Sequence, residues 1–129
     1  MSDDFIVQMR AGFGEEEKKA VCDYMNEDGF ITEYKHTKHF EDLIASYTNA
    51  KHCIVVNNGT ISLSLAAMAA GIKAGDEVIV PNYTMIATPN SLKLFGAVPV
   101  FVDVEPETLC LDLSLVEKAI TNKTKGIIL

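Results

Sequence analysis

From residue 53 to residue 129 short apolar runs alternate with helical patterns, and this rhythm limits the chain to few architectures. The apolar runs are Cys53 to Val56, the core of "GDEVIVP", "VPVFVDV" and the terminal "KGIIL". Between them, Thr60 to Ala70, Met85 to Phe95 and Leu113 to Ile120 carry helical spacing. Gly71 and Gly96 close the first two of these helices, and Asp112 or Ser114 is positioned to cap the third. The order is β-α-β-α-β-α-β. The runs are continuously apolar, as in strands covered on both faces. Right-handed crossovers then place helices on both faces of a mainly parallel sheet, an α/β fold.

Residues 1–50 read differently. Glu15 to Asn26 places Ala20, Val21, Tyr24 and Met25 at helical spacing, behind Gly14 and three glutamates suited to a helix N-terminus. Asp28-Gly29 signals a turn that ends it. Phe40, Leu43, Ile44 and Tyr47 mark a second amphipathic helix, expected to open at Thr37. The chain thus divides into N-terminal helices (1–50) and a βαβαβαβ segment (51–129).

Charge narrows the function. The net charge of −7 removes the cationic face that nucleic-acid binding requires. No apolar run approaches the ~20 residues of a membrane span, and the acidic start "MSDDFIVQMR" is no signal peptide. Cys22, Cys53 and Cys110 form no CxxC pair and are read as reduced thiols in a cytoplasm. The N-x-T sequons at Asn58, Asn82 and Asn122 are read as chance or turn chemistry. His36, His39 and His52-Cys53 lack a tight ligand set and are read as surface histidines and a strand cysteine, not a metal site.

Ligands of open α/β sheets bind beyond the carboxyl ends of strands. That directs attention to Asn57–Thr60, Pro81–Met85 and Asp103–Glu105. Gly59 stands where the first run turns into a helix and permits close backbone approach. Thr60 and Ile61 follow in the first helical turn, where amides lack intrahelical partners and the dipole favours an anion. A phosphate satisfies both conditions. A plain helix cap at Asn58 or Thr60 satisfies the same residues. No Gly-Lys-Ser/Thr follows, so this is no Walker A loop, and it is no GxGxxG turn.

Over a longer span, "NGT" before an Ala/Leu helix, "GIKAGDEVIVP", "TMIATPNS", "GAVPVFVDV" and "ITNKTKGII" occur in order, with "KHFEDLIASYTNAKHCIVV" upstream. This ordered set resembles the DegT/DnrJ/StrS sugar aminotransferases, from about Gly14 to the end. "TMIAT" and "ETLCLD" are most similar to the perosamine-synthase branch. The resemblance implies the N-terminal part of the large domain of a fold-type I, aspartate-aminotransferase-like enzyme with pyridoxal 5'-phosphate (PLP) as cofactor. It implies that Gly59, Thr60 and Ile61 hold the PLP phosphate and that Met85 covers the ring. A methionine is soft and polarizable enough for that contact. It also sets Gly29, Phe30, Ile31 and Thr32 near the sugar substrate, although "EYKHTK" departs from the family pattern just afterwards.

The same resemblance implies a nucleotide-linked keto sugar and an amino donor such as glutamate as substrates, and a homodimer. It places the Schiff-base lysine and the carboxylate facing the pyridine nitrogen beyond residue 129, so no residue here is assigned as catalytic. Lys123 and Lys125 are read as solvated charges, and Asp103 as part of a structural run. In the family sheet, strands from later in the chain separate the strand before the phosphate loop from its successors. Cys53 to Val56 would therefore lack a neighbour. The expectation is an incomplete piece of an enzyme, inactive alone. A truncated fragment, a split subunit and a PLP-dependent sugar dehydratase are the alternatives.

Overall fold

A computed structural model describes residues 9, 11–27 and 35–129. It contains two compact units, Met1–Cys53 and Ile54–Leu129.

In the first unit, α1 spans Glu15–Met25 and α2 spans Lys35–Thr48. Gly14 is the N-cap of α1, and its amide donates to the Glu17 carboxylate at 2.6 Å. That bond holds the Glu17 pKa below its ordinary value. The Asp28-Gly29 turn lies outside the described residues. α2 begins at Lys35, so Thr37 sits inside its first turn and does not open it. Tyr24 and His36 meet edge to face, with ring centroids 5.0 Å apart. Neither helix buries a residue: Val21, Met25, Phe40, Leu43 and Tyr47 form exposed stripes.

The second unit carries α3 (Gly59–Ala69), β1 (Glu77–Pro81), α4 (Ala87–Lys93), β2 (Val98–Val102), α5 (Leu113–Ala119) and β3 (Thr124–Ile127). The sheet is parallel, in the order β2-β1-β3. β1 is central, and Val78, Ile79 and Val80 are fully buried. Successive strand residues face opposite ways. Val78 and Val80 therefore pack with Ala67 of α3 and Leu92 of α4. Ile79 packs on the other side with Val102, Leu111 and Val116 of α5. Burial of each such valine, leucine or isoleucine side chain contributes about 1.5–3 kcal/mol. Helices thus cover both faces of the parallel sheet, the α/β arrangement expected from right-handed crossovers that run in opposite directions, β1 to β2 through α4 and β2 to β3 through α5.

β2 closes one edge. The Val98 amide donates to Asp76 O at 2.9 Å, so by alternation the nitrogen of Pro99 faces away from β1. A residue with no N–H is tolerated at such an outer position.

Two further expectations change, and the open choice of cap for α5 is resolved. The first of the four expected strands, Cys53 to Val56, does not form: the segment joins no ladder, consistent with its missing neighbour, and Ile54 is 79% exposed. An apolar run becomes a strand only where a neighbour completes its backbone hydrogen bonds, and the sheet ends at β2 and β3. α4 is shorter than Met85 to Phe95, so Met85 stands in the loop before it. Its Pro89 falls in the first turn, where a missing N–H costs no helical bond. α5 is capped by Asp112 and not by Ser114: the Asp112 carboxylate accepts the Ser114 and Leu115 amides.

A hairpin-like excursion between β2 and α5 was not signalled by the strand pattern. Val104 and Leu111 bridge in antiparallel fashion, and Leu109 at the tip has φ of +57°. The Glu105 amide donates to Cys110 O, and Leu109 donates to Glu105 O.

Candidate active site

The first turn of α3 is held by Asn58. Its backbone is extended, and its side-chain oxygen accepts the Ile61 amide at 3.0 Å. Its carbonyl accepts Ser62 N–H. Among the described residues nothing accepts the Gly59 or Thr60 amide. The Thr60 hydroxyl is likewise without a hydrogen bond among them, and the turn carries no acidic side chain. A Cβ added to Gly59 would meet nothing within 4 Å. Two free amides, a hydroxyl and a helix dipole around open space can hold an anion.

The peptide planes of this turn are fixed from behind. The Ser62 hydroxyl donates to Gly59 O at 2.7 Å, and that carbonyl shares a plane with the Thr60 N–H. The Ser64 hydroxyl lies 3.1 Å from Thr60 O, whose plane carries the Ile61 N–H.

Topology sets where this turn points. α4 leaves the carboxyl end of β1 and returns to the start of β2. α3 ends in the turn that feeds the start of β1. The Gly75 amide donates to Gly96 O at 2.9 Å, tying the two trailing loops together at the amino edge of the sheet. Midway, the Ser64 hydroxyl donates to Ser91 O at 2.8 Å. Ser64 and Ser91 lie at similar depths, roughly 6–8 Å along their helices. The helices are therefore parallel and in register. Their N-terminal ends, with Gly59–Ile61 on one and Met85 just ahead of the other, share the carboxyl edge. The Met85 side chain is 76% exposed there, and its carbonyl accepts the Thr88 amide.

The remaining candidates separate cleanly. Gly29, Phe30, Ile31 and Thr32 lie outside the described residues. The Asp103 carboxylate accepts the next amide, Val104, and its carbonyl accepts Asp112 N–H, a local structural role. Lys123 stands at the opposite, amino edge, where its carbonyl accepts Glu77 N–H. Lys125 is exposed on β3. A cleft of about 540 Å³ opens beside the end of β1, walled by Tyr83, Thr84, Glu105, Leu109 and Leu113. Neither α3 nor Met85 lines it.

Ser64 and Ser91 escaped the sequence reading. The available signal was a serine on the buried face of an otherwise Ala- and Leu-rich helix, which requires a hydrogen-bond partner.

The chain is similar to known sugar aminotransferases in sequence and fold. A UDP-4-amino-4-deoxy-L-arabinose–oxoglutarate aminotransferase of Shewanella sediminis is 38% identical over 128 residues, 99% of this chain and 33% of that protein. A GDP-perosamine synthase of Caulobacter vibrioides is 51% identical over 88 residues, 68% of this chain and 24% of that protein. A candidate sugar aminotransferase of Streptococcus pneumoniae, solved in PMP, PLP and apo forms, superposes with a TM-score of 0.82 at 34% identity. That match covers 90% of this chain and 29% of the solved one. The chain spans about a third or less of the length of these relatives. Residues 12–129 match the DegT/DnrJ/EryC1/StrS aminotransferases, and the chain belongs to that family.

Proposed function

We propose that this chain supplies the phosphate-holding part of a PLP-dependent aminotransferase acting on a nucleotide-linked keto sugar in amino-sugar biosynthesis. The observation that carries the reading is the open first turn of α3, set in register with the loop bearing Met85. The Gly59 and Thr60 amides and the Thr60 hydroxyl bind the phosphate. Ile61 N–H joins them once the Asn58 side chain yields it. Met85 would cover the pyridine ring and keep water from that face. When bound, the cofactor supplies the electron sink that amino transfer requires. Gly29, Phe30, Ile31 and Thr32 face the sugar. An amino donor such as glutamate provides the nitrogen, and the working enzyme is a homodimer.

Support for the sugar class comes from relatives named for UDP- and GDP-linked amino sugars. The three free thiols fit a cytoplasmic setting. Among the described residues no helix is long and apolar enough to cross a membrane.

The test is an assay of the complete protein with PLP, glutamate and a panel of nucleotide-linked keto sugars. Formation of 2-oxoglutarate in step with an amino sugar is expected. No transfer with any keto sugar, from a protein that has bound PLP, overturns the reading.

A further inference from the structure

We infer that Ser64 is a positioning residue for the cofactor phosphate, acting through the first turn of α3. The inference rests on the phosphate reading above and adds a residue that does not touch the ligand. Ser64 is 6% exposed, and its hydroxyl donates to Ser91 O across the seam between α3 and α4. Ser91 is itself fully buried. At the end of α4 the Phe95 amide turns to Leu92 O instead of Ser91 O. The Ser64 hydroxyl therefore satisfies a buried carbonyl that the helix leaves behind, which makes the bond costly to lose.

The same oxygen stands 3.1 Å from Thr60 O. Its one hydrogen is shared between Ser91 O of α4, the shorter contact, and the carbonyl of the Thr60–Ile61 peptide, the longer one. That peptide is a rigid plane, so anchoring its carbonyl aims its N–H. Ser62 performs a similar local service for the preceding plane, but its bond stays within α3. A side chain tied to both helices helps fix the height and rotation of the phosphate turn relative to the loop carrying Met85. Ser64 has that geometry.

The experiment measures binding of pyridoxamine 5'-phosphate and of unphosphorylated pyridoxamine to the full chain by calorimetry. Neither probe carries an aldehyde that reacts with lysines. The proteins are the unaltered chain, Ser64→Ala, Ser64→Cys and Ala67→Gly. The alanine variant removes the hydroxyl. Cysteine keeps the size with a weak donor. Ala67→Gly loosens α3 and leaves the Ser64 bond intact.

Ser64→Ala is expected to lose about three- to tenfold in affinity for the phosphorylated probe. Pyridoxamine should bind as before, Ser64→Cys should fall between, and Ala67→Gly should hold its selectivity. Should Ser64→Ala not fold, Ser64→Cys provides the comparison. Unchanged selectivity in the folded serine variants, or equal loss in Ala67→Gly, overturns the role of Ser64 alone. Failure of the unaltered chain to prefer the phosphorylated probe overturns the phosphate reading, and this inference with it.

Discussion

The hydroxyl of Ser64 donates to the carbonyl of Ser91 at 2.8 Å, joining two parallel helices at matched depth. The Gly75–Gly96 bond at their trailing ends makes the pair a rigid frame. The frame presents the free amides of Gly59 and Thr60 at the sheet edge where α/β proteins bind ligands.

Thr60 has an unoccupied hydroxyl at this edge. Thr60→Val preserves shape and removes one donor to a charged ligand. Such bonds contribute about 1.5–3 kcal/mol, so affinity for pyridoxamine 5'-phosphate should fall at least about tenfold. The urea midpoint should stay near that of the unaltered chain. Calorimetry and urea titration of the same samples check both halves.

Two glycines separate strain from crowding. Gly71 and Gly96 have φ of +88° and +84°. A Cβ at Gly71 meets open space, whereas at Gly96 it lies 3.1 Å from the Ala74 Cβ. Gly71→Ala should cost about 1–2 kcal/mol from the left-handed backbone alone. Gly96→Ala should cost more, because it also forces apart the loops joined by the Gly75–Gly96 bond. Chemical denaturation gives the order.

Ile79 is fully buried on the central strand, whereas Phe101 on the edge strand is 54% exposed. Ile79→Ala should destabilise the unit by about 2–5 kcal/mol. Phe101→Ala should have a smaller effect, since about half of that residue already faces water. Urea denaturation of both variants checks the difference.

Asp112 gives a pH signature. Its carboxylate accepts the Ser114 hydroxyl and then the Ser114 and Leu115 amides, and these hold its pKa below the ordinary carboxylate value. The folded value lies below the unfolded one, near ~3.9. The cap therefore contributes fully above the unfolded value and is lost as pH falls through the folded one. Asp112→Asn keeps an acceptor but does not titrate. The urea midpoint of the unaltered chain should drop more between pH 6 and pH 3 than that of Asp112→Asn.

Much of this architecture is legible in the residues. "GDEVIVP" and "VPVFVDV" are short, β-branched and bounded by Gly, Pro or Asp, so local chemistry alone defines β1 and β2. Gly71 and Gly96 announce helix ends because their backbones require a left-handed conformation. Cys53–Val56 misleads because strand pairing is nonlocal: an apolar run does not carry its neighbour with it. The Leu109 turn is hidden for a related reason, since a non-glycine with positive φ leaves no compositional mark. At the site, Gly59, Thr60 and Ile61 stand out as the point where an apolar run gives way to a helix. That Asn58 takes the Ile61 amide, and that Ser64 reaches Ser91, depends on side-chain directions that spacing does not encode.

The most direct measurement is a titration of the isotope-labelled chain with pyridoxamine 5'-phosphate, followed by amide NMR. The account predicts that the Gly59 and Thr60 amides move first and furthest, with Ile61 and the Asn58 side chain following as their bond opens. Saturable shifts elsewhere with these amides unmoved, or no saturable shift at all, would contradict it.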